Sequence, residues 1–375
     1  MLNFMEEDRV RILDLEAQIR VLERSISTLR AEQELTQNRL DAYKYPILTL
    51  PHEITSKIFT HFLPMYPAAP ASLTSLTHVC RHWRDVALAN PALWCTMMIE
   101  VDVKTTPYAR AQIRAMSDAW IGRSGSRPLS IHINSANPAF LHELFTEPST
   151  MDSARWAHLT LDAPLSALPK TGCPLPALRS LDFTSLAFTI IGEAFTFYEA
   201  PQLHIAVLSG RVIPRVTLPW TQLLCLTLHN VDLYHSIRIL RQTPNLMRCT
   251  ITLSDNVIPE LELGSRLAQE ADVVLPCVES LILYDDSWFQ ALAESRVLDL
   301  FVVPSLARLE LDAGFLGEAP ISALESFLSK AGCSSLQEVC IRGQSTINDG
   351  NGICQAFPAI RRFSFPDSSS DEAER

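Results

Sequence analysis

Apolar residues recur along the chain with more than one period, and each period marks a different stretch. Between residues 12 and 43 they alternate at spacings of three and four. The positions are Ile12, Leu15, Ile19, Leu22, Ile26 and Leu29, then Gln33, Thr36, Leu40 and Tyr43. Glu, Arg, Ala and Gln fill much of the space between, and no Gly or Pro interrupts. The spacing predicts one long helix. Ile at a and Leu at d favour a parallel two-stranded coil, which makes residues 12–43 a candidate homodimer seam. The alternative is a single amphipathic helix folded onto its own domain. Gln33 and Thr36 weaken the seam, and Pro46 marks its stop.

Shorter helical patterns follow. Pro51 suits a first turn, and Ile54, Ile58, Phe59, Phe62 and Leu63 lie three or four apart on one face. Pro64, Pro67 and Pro70 make residues 64–70 a loop. Leu73, Leu76, Val79 and Cys80 then begin a second apolar stripe, which Trp83, Val86 and Ala87 extend until Asn90-Pro91.

From residue 97 the period shortens to two. Residues 97–103 read as a strand, as do Leu129, Ile131 and Ile133. Between them Thr106-Pro107 caps a helix with Ala109, Ile113, Met116 and Trp120 on one face. A template, L-x-x-L-x-L with apolar variants, then recurs. Its middle positions are Leu159, Leu181, Ala206, Leu226, Cys249, Leu281, Leu309, Val339 and Phe363. In six of these nine copies a proline stands two residues before the first apolar position: Pro176, Pro201, Pro244, Pro276, Pro304 and Pro358. Such a proline stops the incoming segment and favours an extended start to the next strand. Helical faces fit between strands at Leu233, Ile237 and Leu240, and at Ile321, Leu324, Phe327 and Leu328, the latter closed by Gly332. These units resemble leucine-rich repeats, each burying its apolar face only against its neighbours. The Asn that usually closes the turn is absent, with Val231, Ser254, Asp286 and Gly314 among its replacements, so the repeat is irregular. Residues between the buried positions would form the concave, target-binding face: Asp162, Asp182, Thr227, His229, Tyr284, Glu310, Asp312 and Arg342.

The middle stretch carries a more specific pattern. Leu50-Pro51-x-Glu53-Ile54-x-x-x-Ile58-Phe59, a loop, Val79-Cys80-Arg81-x-Trp83-Arg84-x-x-Ala87 and a closing Leu93-Trp94 together resemble an F-box. The pattern is most similar to F-box-like domains abundant in mushroom-forming fungi, often preceded by a heptad helix and followed by a leucine-rich array. The resemblance implies that Leu50, Pro51, Ile54, Ile58 and Phe59 face a Skp-type adaptor, and through it a cullin–RING ubiquitin ligase. It implies that Val79, Cys80, Trp83 and Trp94 hold the box together. The chain would then be a substrate-recognition subunit whose array binds a protein target. The rival is a leucine-rich-repeat scaffold that engages no ligase; in another reading the box residues are internal core of one larger domain.

Composition narrows the partners. The 375 residues leave room for about two or three domains. A net charge of −11 gives a nucleic-acid role no electrostatic support. No apolar run reaches the roughly 18 residues of a membrane span, and the acidic N-terminus lacks the order of a signal peptide. Nine cysteines without a C-x-x-C fit reduced thiols in the cytoplasm or nucleus. There is no Walker loop, G-x-G-x-x-G or G-x-S-x-G. His78 and His82 are four apart but have no third ligand at a fitting spacing, and Asp285-Asp286 reads as a solvated turn. The expectation is a binding protein with no catalysis, metal or cofactor. Its fold is expected to be α plus α/β: a heptad helix (1–44), a small helical F-box (45–96), a strand/helix region leading into an irregular leucine-rich-repeat solenoid (97–365) and an acidic disordered tail (366–375).

Overall fold

A computed structural model describes residues 2–42, 49–62, 73–146, 153–164, 174–184, 195–197, 199–210, 212–254, 272–286, 297–333, 335–343 and 350–366. The expected loop at 64–70 and all of the expected 366–375 tail except Pro366 lie outside the described residues. The chain divides into two units, one of Met1–Phe62 with Thr74–Ala89, the other of Leu63–Leu73 with Asn90–Arg375.

The first unit is helical. Helix α1, Leu2–Ala42, has 41 residues, about 60 Å of length at 1.5 Å per residue. All of its described side chains are exposed, the seam residues Ile12, Leu22 and Leu29 by 55%, 60% and 61%. Helix α2 is His52–Phe62, and its first turn closes on the Pro51 carbonyl, which accepts from the Ile54 and Thr55 N–H groups. The stripe expected from Leu73 to Ala87 is two helices, α3 (Leu73–Val79) and α4 (Arg81–Ala89). The break falls at Cys80, whose Sγ accepts the Trp83 N–H at 3.5 Å in the manner of an N-cap. Arg84 Nε reaches back to the Thr77 carbonyl at 2.8 Å and satisfies an end group of α3. The break also rotates the stripe. Val79 is 59% exposed instead of buried, while Val86 and Ala87 point inward.

The second unit is built on one sheet of eleven strands in chain order, every pairing parallel. The strands are Thr96–Val101, Leu129–Ser135, Trp156–Asp162, Ser180–Thr184, Ile205–Ser209, Cys225–Val231, Arg248–Leu253, Ser280–Asp285, Arg308–Asp312, Glu338–Arg342 and Arg362–Ser364. Each template copy lies on one of the last nine. The pairing aligns their middle positions in a single row from Leu159 to Phe363, and Met97 and Ile131 extend that row by two strands. Ile131, Leu159, Leu181, Leu281 and Leu309 are 0% exposed. Helices Pro107–Arg123, Pro138–Thr146, Leu233–Leu240, Pro320–Ala331 and Gly350–Ala356 carry core residues such as Ile121, Leu141, Ile237, Phe327 and Ile353. Two short pairings, Phe195–Thr196 with Val216–Thr217 and Val273–Val274 with Phe301–Val302, add buried residues of their own.

The phased prolines do more than stop the incoming segment. Leu178, Leu203, Leu246, Val278, Leu306 and Ile360 each donate to the carbonyl three residues earlier, closing a turn with the proline second. A φ fixed near −65° suits that position. At the other end of one strand, Gly210 N–H meets the His229 carbonyl at 2.7 Å. A Cβ on Gly210 would lie 2.0 Å from the Asn230 carbonyl oxygen, so only glycine fits. Gly332 closes Pro320–Ala331 with φ of 64°. No helix among the described residues is long and apolar enough to cross a membrane.

Candidate adaptor-docking and partner-binding surfaces

Alternation along each strand leaves one side of the sheet polar. Its best-connected part lies toward the C-terminal end. Tyr284 Oη donates to Glu310 Oε1 at 2.6 Å, and Arg308 Nη2 donates to Glu310 Oε2 at 2.9 Å. The Arg342 guanidinium lies 4.7 Å from the Tyr284 ring centroid. Asp312 Oδ2 accepts the Asp285 N–H at 2.7 Å, and burial raises the pKa of Asp312. Burial, then the bond to Glu310, pushes the Tyr284 hydroxyl up to about 12, so it stays a donor at neutral pH.

Toward the N-terminal end, Asp162 and Asp182 stand on adjacent strands. Burial, with the neighbouring charge of Asp162 second, pushes Asp182 up to about 6. Its Oδ1 is shut off from water with no hydrogen-bond partner in the structure. Thr227 and His229 lie between the two clusters, half-buried, on Cys225–Val231. The eight expected face residues therefore share the polar side but form no single site. Among the described residues, no three or more His, Cys, Asp or Glu side chains gather as a metal would need.

The other surface is on α2. Ile54 and Ile58, one turn apart, are 47% and 45% exposed beside the exposed Pro51 and half-buried Leu50. Thr55 and Phe59, one residue on, are each 1% exposed. Phe59 was expected at the surface with Ile58, but its ring lies edge-on against Trp83, centroids 5.0 Å apart. The next helical position is turned by about 100° and goes to the interior. His52 packs edge-on against His82 at 4.8 Å. A family model for F-box-like domains matches residues 47–100. The chain carries an F-box-like domain there. No curated protein matches the chain.

F-box domains generally bind Skp-type adaptors of cullin–RING ligases, so the domain points to ubiquitin-ligase adaptor function in general. Within it, Phe59 and Trp83 form the aromatic contact of the helices, Cys80 caps α4, and Val79 is outside the core. Trp94, expected to hold the box together, is buried at the end of the short helix Pro91–Trp94. It precedes Met97 by three residues, as Trp156 precedes Leu159, and its ring meets Trp120 at 4.7 Å and the Arg123 guanidinium at 4.6 Å. The end of the F-box-like match thus includes the first strand of the array. Arg308 was missed from the polar face. Its place two residues before Glu310 on one strand was the signal, since alternate residues share a side. Glu338 and Arg362 continue its row, with Arg362 Nη1 3.4 Å from Glu338 Oε1.

Proposed function

We propose that the chain is the substrate-recognition subunit of a Skp–cullin–F-box type ubiquitin ligase. The observation that carries this is the uncovered pair Ile54 and Ile58 beside Pro51, within the segment that matches F-box-like domains. An apolar pair left in water on a well-packed helix favours a partner that covers it. Leu50, Pro51, Ile54 and Ile58 dock on the Skp-type adaptor, while Phe59 supports them from beneath. The parallel array, read as irregular leucine-rich repeats, presents its polar side to a protein target. Stacked strand–helix units with a row of aligned apolar residues support that reading. The chain performs no covalent chemistry itself and contributes proximity between target and ligase. It works in the cytoplasm or nucleus. Through residues 12–43 it pairs with a second copy, which covers the seam exposed on α1.

Co-purification with a Skp-type adaptor tests the assignment. Replacing both Leu50 and Pro51 by alanine should abolish the association and leave the circular dichroism spectrum unchanged; undiminished binding by the double variant would sink it. A chain that never captures the adaptor is the scaffold alternative. For the coil, light scattering should give twice the chain mass for the full protein and a single mass without residues 1–44. Equal monomer masses would rule it out.

A further inference from the structure

We propose that the cleft between helices Pro107–Arg123 and Pro138–Thr146 binds a small apolar group ending in a single carboxylate, of the kind a peptide C-terminus presents. The cleft encloses about 220 Å³ and is lined by Pro107, Arg110, Ala111, Arg114, Phe140, Glu143 and Leu144. That is below the roughly 300–1,000 Å³ of sites for drug-sized ligands, so it fits one residue-sized group rather than a nucleotide.

Its chemistry is set by Arg110. The side chain is 17% exposed, and its Nε and Nη1 are shut off from water without a hydrogen-bond partner. Glu143 does not satisfy them. Its Oε1 is 3.6 Å from Arg110 Nη1 and its Oε2 is 3.5 Å from Arg114 Nη1, close enough to attract but too far to bond well. Unmade hydrogen bonds on a buried charged donor are costly, and an oxyanion that takes the place of the Glu143 carboxylate would make them. Arg110 brings a positive charge to the lining, on a chain whose net charge is −11. A singly charged carboxylate suits it, whereas a dianionic phosphate would be more strongly repelled by Glu143. The remaining wall, Phe140, Leu144, Pro107 and Ala111, suits an apolar body behind the carboxylate.

The cleft is also held open in advance. Asn137 Oδ1 accepts the Phe140 N–H at 3.1 Å, and its Nδ2 donates to the Asp102 and Val103 carbonyls at 3.3 Å. This ties the start of the second helix to the segment leading into the first. Thr106 Oγ1 caps that first helix through the Ala109 N–H at 3.3 Å. Little ordering is then left for the ligand to impose. Both helices carry core residues of the buried side of the sheet, so the site is separate from its polar face.

Calorimetric titration of the full chain tests the site with three probes: 3-phenylpropionate, N-acetyl-Gly-Gly-Phe with a free C-terminus, and the same peptide as its C-terminal amide. Carboxylates should bind at least tenfold more tightly than the amide. Arg110→Gln should weaken the carboxylates about tenfold or more. Glu143→Gln, which removes the competing anion, should tighten them several-fold and gives a gain that misfolding cannot mimic. Preference for the peptide acid assigns the site to protein C-termini, and equal binding of 3-phenylpropionate assigns it to free organic acids. Equal affinity for acid and amide, unchanged binding by Arg110→Gln, or no saturable binding at millimolar concentration would each overturn the proposal.

Discussion

Ile54 and Ile58 on α2 and Ile131 and Ile133 on the second strand of the sheet are the same residue type at the natural period of their element. The first pair is 47% and 45% exposed; the second is 0% exposed. The difference lies in what the adjoining chain supplies. Ile131 is aligned with Met97 on one side and Leu159 on the other, and helices bring further apolar residues over them. On α2 the interior is filled one position over, by Thr55 and Phe59, and Ile54 and Ile58 are left uncovered. Apolar content therefore does not separate core from docking surface. The cover provided by the fold does.

Four substitutions probe this contrast, from the largest expected change in stability to the smallest. Leu281→Asp places a carboxylate where exposure is 0% and should cost more than about 4 kcal/mol, unfolding the sheet in a urea titration. A near-normal midpoint would mean that the row is not a continuous core. Ile133→Ala should cost about 2–5 kcal/mol. The effect of Asp182→Asn depends on pH. Its carboxyl has a folded value of about 6 against an ordinary 3.8, so the folded chain holds a proton there that the unfolded chain has released. Stability contributed by that proton is fully present below the unfolded value of 3.8 and is lost as pH rises through about 6. Asp182→Asn should therefore stabilise the protein at pH 7 by about 1–2 kcal/mol, allowing for solvent screening, and flatten the slope between pH 4 and 6. A steeper slope would contradict the sign. Ile58→Ala should change stability by less than about 0.5 kcal/mol. If it proves as costly as Ile133→Ala, the distinction between the two pairs collapses.

Much of the array was legible because one physical requirement repeats. A strand covered on one side needs alternate apolar residues, and Leu159, Leu181 and Leu309 announce that period directly. Two members were read as strands but not as members of the row. Trp94, the first position for Met97, had been claimed by the F-box pattern, and Pro128 stands where the template puts an apolar side chain before Ile131. The helical unit was less legible. A stripe of threes and fours does not say where a helix breaks, and the Cys80 cap that turns Val79 outward depends on one sulfur contact of 3.5 Å. Nor does periodicity distinguish Ile58 from Phe59, adjacent apolar residues that helix rotation sends to opposite environments. On the polar face, the residues named from the sequence occupy alternate positions of their strands. Their grouping into a Tyr284–Glu310–Arg308 cluster depends on strand register, which links residues more than 20 apart in sequence.

The strict chain order of the strands has a mechanical corollary. A strand held only by its predecessor and successor can be peeled from an end without disturbing the middle. Pulled along the chain, the sheet should give way in discrete steps, and their lengths should be unequal. The aligned residues are separated by 20 positions between Ala206 and Leu226 but by 32 between Cys249 and Leu281. At about 3.4 Å per residue, those two steps would release roughly 70 and 110 Å of chain. An optical trap would record the irregular repeat as a ruler with uneven marks.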